Sequence, residues 1–209
     1  MSVTYKLDRT GALFDARGRR FDPVSRTWSS VAADLPPTCE TVDALEATTW
    51  LQRHSGHPLR IPIGVIGPRD ATERQLAEAL RVGELLADCG LSVIGGGREG
   101  VMLAACEGVA RSGGISVGLL PDTDPAAANH FVSIVIATGI GEARNALIAR
   151  GAFCLIAIGA SFGTLSEVAL GRQFGKRVIG LAGAATVEGV EHVADAREAV
   201  TRVAEAVLA

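Results

Sequence analysis

Aromatic residues are scarce in this chain. Its 209 residues hold 6 Phe, 2 Trp and 1 Tyr, although 48% of all residues are hydrophobic. The core must therefore be built from Val, Ile, Leu and Ala, which disfavours an aromatic-rich sandwich and favours parallel strands under Ala-rich helices. Long apolar runs are missing too. None approaches the roughly 18 residues that a membrane helix needs, so no membrane partner is expected. No secretory leader pattern is evident, and the expected location is the cytoplasm. Basic residues are not in excess: 20 Lys and Arg face 23 Asp and Glu, a net charge of −3. That gives no electrostatic case for nucleic acid. The basic cluster Arg17, Arg19 and Arg20 reads as a solvated turn. Metal-type cysteine spacing is absent among Cys39, Cys89, Cys106 and Cys154. Cys106 and Cys154 lie in apolar stretches and read as small buried hydrophobes. His54 and His57 sit in a Ser/Gly/Pro context with no third ligand, so no metal is expected.

What is abundant is glycine, 25 residues of it. Residues 1–60 use it in turns. Val3 to Leu7 alternates, Thr10-Gly11 turns, and Ala12 to Phe14 continues, which predicts a small N-terminal β-hairpin or meander. Pro23, Pro36 and Pro37 interrupt the segment after it. A short helix is expected within Thr41 to Arg53, and His54 to Pro58 reads as a linker.

Residues 61–209 read as one α/β domain. Strands are expected at Ile61–Gly67, Leu91–Ile94, Ile115–Leu120, Phe131–Ala137, Cys154–Ile158 and Arg177–Leu181. Helices are expected from an Asp70 N-cap with Glu73 at the third position, from Val101, over Gly141–Ala152, after Gly163, and over Ala194–Leu208. This alternation predicts a Rossmann-like, doubly wound parallel sheet with helices on both faces. Ligands of such sheets bind beyond the strand C-termini, at the switch point. The Gly-rich turns after Ile66, Ile94 and Ile158 all fall there.

The central stretch is Cys154 to Glu167. It reads as a buried strand, a small-residue turn and a helix that carries Leu165, Val168 and Ala169 on one side. A helix N-terminus after such a turn is a ready anion site. Thr164 is the expected cap and phosphate contact. Glu167 fits either a capping box with Thr164 or a ligand-facing role. Arg144 shares a helical stripe with Leu147, Ile148 and Gly151. It is expected at the open end of that stripe, facing an anion or pairing with a carboxylate such as Glu167. Gly95, Gly97 and Gly100 match the dinucleotide fingerprint by letter, with Asp122 about 20 residues on, which leaves a nicotinamide reading open. No Ser-His-Asp or Cys-His pairing can be assigned. His130 and His192 read as bystanders.

Three segments together carry a family resemblance: Gly96-Gly97-Arg98-Glu99-Gly100-Val101-Met102, Ala143-Arg144-Asn145, and Phe162-Gly163-Thr164-Leu165-Ser166-Glu167. Over about residues 61–183 the chain resembles the Lonely-guy superfamily, long labelled putative lysine decarboxylases. Many members are phosphoribohydrolases of nucleoside 5′-monophosphates; others are molybdenum cofactor carriers. The Ala-Arg-Asn triplet makes the chain more similar to the carrier branch and to a branch of unassigned function. The resemblance implies that Arg144 and Glu167 are catalytic. It implies phosphate or nucleotide contacts at Gly67, Gly96, Gly97, Gly100, Met102, Asn145, Ser161, Gly163 and Thr164. The hydrolases carry P-G-G-x-G-T-x-x-E where this chain has Gly159-Ala160-Ser161-Phe162-Gly163-Thr164 and onward to Glu167, and they carry Lys at Asn145. The implied function is binding of a phosphorylated ligand, with hydrolysis of an N-glycosidic bond; the alternative is a non-catalytic carrier or sensor of a ligand such as molybdenum cofactor. A nicotinamide-dependent oxidoreductase is a third reading. A homo-dimer or homo-tetramer is implied, and no resident cofactor.

Overall fold

The computed structural model describes residues 3–32 and 38–209, with Val31 and Ala32 described by backbone alone. Pro36 and Pro37 lie outside the described residues. The chain divides into two compact units, Met1–Leu59 with Thr201–Ala209, and Arg60–Val200.

The first unit holds strands β1 (Thr4–Leu7), β2 (Leu13–Phe14), β3 (Arg19–Asp22), β4 (Thr27–Ala32) and β5 (Glu40–Asp43), then helix α1 (Ala44–Arg53). The strands form one sheet in the order β4-β3-β2-β1-β5, and every described pairing is antiparallel. This is larger than the expected hairpin. Helix α1 lies within the expected Thr41–Arg53 and starts at Ala44, because Glu40–Asp43 pair with β1. Asp43 then accepts from Glu46 N–H while Glu46 accepts from Asp43 N–H, a reciprocal cap. The few aromatics concentrate here: Tyr5 stacks on Trp28 at 5.8 Å, and Phe21 meets Trp28 at 5.0 Å. Within the basic cluster, Arg19 is tied to Asp15 at 2.7 Å.

The second unit contains β6 (Ile63–Ile66), α2 (Glu73–Asp88), β7 (Val93–Gly95), α3 (Val101–Arg111), β8 (Ser116–Leu120), β9 (Ile134–Ala137), α4 (Asn145–Gly151), β10 (Leu155–Ile158), α5 (Phe162–Gln173), β11 (Val178–Leu181) and β12 (Val190–His192), and the last helix, α6 (Ala196–Val207), belongs to it as far as Val200 and to the first unit from Thr201. The seven strands are parallel, in the order β12-β11-β10-β6-β7-β8-β9. β6 and β10 are buried along their whole length, as parallel strands covered on both faces require. The chain leaves β6 toward β7 and leaves β10 toward β11, on opposite sides. The β6/β10 gap is therefore the switch point.

Several local expectations are corrected. Helix α2 is capped by Thr72 with Gln75, not by Asp70 with Glu73. Strand β12 was not anticipated; it is short and contains His192. Strand β9 starts at Ile134, not Phe131, and its Ile134, Val135 and Ile136 are exposed on the sheet edge. On α5 the buried positions are Thr164, Glu167, Val168 and Gly171, whereas Leu165 and Ala169 are exposed. The helix is rotated so that its polar threonine and glutamate face inward. Residues Gly141–Arg144 form a 3-10 turn ahead of α4, and Leu147 is exposed while Ile148 and Ala149 are buried. Cys89, Cys106 and Cys154 are buried and free, and burial pushes the Cys154 thiol up to about 12, out of reach of thiolate chemistry.

Candidate functional site

Beyond the C-terminal ends of β6 and β10 lies a cleft of about 1080 Å³. The β6 loop contributes Gly67, and the β7 loop with the start of α3 contributes Gly96 and Met102. Arg144 and Asn145 come from the junction between the 3-10 turn and α4. Ser161, Gly163, Thr164 and Glu167 come from the first turns of α5. These predicted residues are thus brought to one place. Gly97 and Gly100 do not line the cleft.

Gly100 shapes the loop beneath the site instead. Its φ is +69°, and a Cβ there would lie 2.1 Å from the Arg69 carbonyl oxygen. Gly96 leaves room for ligand-facing side chains. A Cβ at Gly96 would meet Met102 Sδ at 2.5 Å and Arg144 Nη2 at 2.8 Å. Asp122 is paired with Arg98 at 3.2 Å and is not among the cleft residues, so the fingerprint acid of the nicotinamide reading is engaged elsewhere.

The cap of α5 is Ser161 rather than Thr164. Ser161 Oγ accepts from Thr164 N–H at 3.1 Å and lies 2.9 Å from Thr164 Oγ1. The Thr164–Glu167 capping box is therefore not formed, because the Thr164 N–H is already used. Phe162 and Gly163 begin the helix, where no intrahelical carbonyl reaches their N–H groups. Those groups and the helix dipole favour an anion.

Glu167 turns to Arg144 instead. Arg144 Nη1 donates to Glu167 Oε1 at 3.2 Å, and each side chain is only 7% exposed. Glu142, largely exposed, lies 3.9 Å from Arg144 Nη2. Burial raises the Glu167 carboxyl to about 7; Arg144 opposes that rise and the Glu142 charge adds to it. Near neutral pH the cleft therefore holds a fixed guanidinium beside a carboxyl that is partly protonated. The expected Arg144–Glu167 pairing is present, and both members also line the cleft. Asn145 is anchored by a second link: its Nδ2 donates to Ser166 Oγ at 2.9 Å, and Ser166 Oγ donates to the Gly163 carbonyl at 2.7 Å.

Several cleft residues lie outside the site expected from the sequence, among them Arg69, Glu142, Phe162 and Ser166. Arg69 is exposed and lines the cleft from the β6 loop. The signal was available, since it follows Gly67-Pro68 at a strand C-terminus. Phe162 lines the cleft at 94% exposure, an unusual position for a large aromatic ring. Among the described residues no group of three or more His, Cys, Asp or Glu stands close enough to hold a metal ion. No described helix is long and apolar enough to cross a membrane.

Comparison with known proteins agrees with this architecture. An uncharacterized protein of Archaeoglobus fulgidus is 41% identical over 138 residues, which is 66% of this chain and 91% of that protein. The molybdenum cofactor binding protein of the phototrophic bacterium Rippkaea orientalis is 32% identical with a TM-score of 0.67, covering 70% of this chain and 98% of that one. The molybdenum cofactor carrier protein of Chlamydomonas reinhardtii is 34% identical with a TM-score of 0.65, covering 71% and 99%. Residues 60–207 match the model of the SLOG cluster4 family, and the chain belongs to that family.

Proposed function

We propose that this protein binds a phosphorylated, pterin-type small molecule in the β6/β10 cleft and carries it intact. The observation that carries the reading is the Arg144–Glu167 pair beside the open α5 N-terminus. The helix start offers N–H groups to a phosphate. Arg144 adds a buried positive charge. Glu167 is held by that charge and forms part of the cleft wall. The likeness to molybdenum cofactor binding and carrier proteins, over nearly their full length, supports the ligand class.

A second reading keeps the same cleft and adds turnover. Glu167 lines the cleft, so it is placed to act on a bound nucleoside 5′-monophosphate. Its carboxylate would stabilise the oxocarbenium-like sugar as the N-glycosidic bond breaks, giving free base and ribose 5-phosphate. In either reading the chain works as a homo-dimer or homo-tetramer. The apolar residues left exposed on β9 and at Ile140, Leu147, Phe162 and Leu165 support that assembly.

The test incubates the protein with a panel of nucleoside 5′-monophosphates and a phosphorylated pterin, passes it through gel filtration, and identifies all products by mass spectrometry. Carriage predicts intact ligand in the protein fraction and no free base. Free base from the wild type and none from Glu167→Ala would establish the hydrolase reading instead.

A further inference from the structure

Two buried polar atoms at the cleft lack partners: Arg144 Nε and Asn145 Oδ1. Both residues line the cleft, and Asn145 is only 4% exposed. The orientation of the Asn145 amide is fixed by the protons available. A serine hydroxyl has one proton. Ser166 gives its proton to the Gly163 carbonyl, which can only accept. Toward Asn145 the Ser166 oxygen must therefore accept, so the Asn145 NH₂ group faces Ser166. The Asn145 carbonyl oxygen is left as an unused acceptor, and the neighbouring Arg144 Nε–H is left as an unused donor.

We infer that Asn145 is a specificity-determining residue that selects ligands carrying a hydrogen-bond donor close to their phosphate. A phosphate oxygen satisfies Arg144 and the α5 N–H groups. An unprotonated oxyanion oxygen cannot satisfy Asn145 Oδ1, because two acceptors repel. A group that both donates and accepts satisfies Asn145 and Arg144 together. Two chemistries do so: a sugar hydroxyl, and the cyclic amide edge of a pterin- or guanine-like ring. Ser166 lies within one turn of Gly163 on α5, so the donor contact falls near the anion-binding helix start. Ser166 is thereby a positioning residue, since it acts on the ligand through the Asn145 amide. This inference rests on the phosphorylated-ligand reading above.

The test is calorimetry of wild type, Asn145→Leu and Ser166→Ala with three probes: sulfate, which only accepts, ribose 5-phosphate and GMP. Thermal melts confirm that each variant is folded. Sulfate is expected to bind all three proteins within about twofold. Ribose 5-phosphate, GMP or both are expected to bind wild type more tightly than sulfate, and to lose about tenfold in Asn145→Leu, the size of a buried acceptor's lost partner. Loss confined to ribose 5-phosphate assigns the donor to a sugar hydroxyl; loss confined to GMP assigns it to the ring edge. Ser166→Ala frees the amide to turn its NH₂ toward the cleft, so the preference over sulfate should narrow while the fold is kept. Equal affinities of Asn145→Leu and wild type for every probe would overturn the role of Asn145. Failure of all three probes to bind wild type would overturn the phosphorylated-ligand reading itself.

Discussion

Replacing Glu167 by Gln keeps the shape of the side chain and removes its titration. In the wild type, burial raises this carboxyl from 4.5 to about 7. The folded state therefore holds a proton that the unfolded state releases. The contribution is full below about pH 4.5 and is lost as the pH rises through 7. At about 1.4 kcal/mol per tenfold, the rise is worth roughly 3 kcal/mol. Water in the open cleft screens the pair, so about 2 kcal/mol is the working figure. Gln is neutral throughout, so Glu167→Gln should match the wild type at about pH 4 and exceed it by about 2 kcal/mol at about pH 8. For a protein of this size that is roughly 4–8 °C in Tm. Urea unfolding of both proteins at both pH values measures the difference, and every other titrating group cancels in it. A variant that is relatively weaker at the higher pH would refute the reasoning. It would mean that Arg144 outweighs burial and that the ion pair is net stabilising, and breaking such a pair costs about 3–5 kcal/mol.

The same titration should appear in binding. Sulfate does not titrate near neutrality, and calorimetry should find it bound more tightly below pH 7, where protonated Glu167 no longer neutralises Arg144; Glu167→Gln should abolish that dependence. Gly100→Ala should cost about 2–4 kcal/mol in urea unfolding, because its Cβ meets the Arg69 carbonyl at 2.1 Å and its φ is +69°. Gly96→Ala meets only the ends of Met102 and Arg144, so it should cost under about 1.5 kcal/mol yet weaken sulfate binding by displacing the guanidinium. Ser161→Ala removes the α5 cap and should cost about 1 kcal/mol in the same unfolding assay.

Much of this fold could be read from the chain because buried parallel strands leave a plain signature. Ile63–Ile66 and Leu155–Ile158 are short apolar runs that end on glycine, and their alternation with helices implied the parallel sheet and the cleft at its switch point. Strand β12 left no such trace. Val190–His192 is a three-residue edge strand with a glutamate and a histidine, so neither period nor apolarity marks it. Helix α5 misled for a different reason. Its buried side carries Thr164 and Glu167, and hydrophobic periodicity assigns the wrong face when a helix turns polar groups inward to build a site. The cap was misassigned by the same logic, since Ser161 and Thr164 both suit an N-cap and only the backbone decides which one flanks the first turn. The Arg144–Glu167 pair could be anticipated from charge on an apolar stripe, but the unpaired Asn145 oxygen could not, because it depends on where the Ser166 proton goes.

Carriage requires that the cleft hold a phosphorylated ligand and return it unchanged. Native mass spectrometry of the protein with GMP, wild type beside Arg144→Ala, tests it most directly. Intact GMP is expected on the wild type over prolonged incubation, and little or none on the variant. Free guanine and ribose 5-phosphate accumulating with the wild type, or equal binding by both proteins, would contradict it.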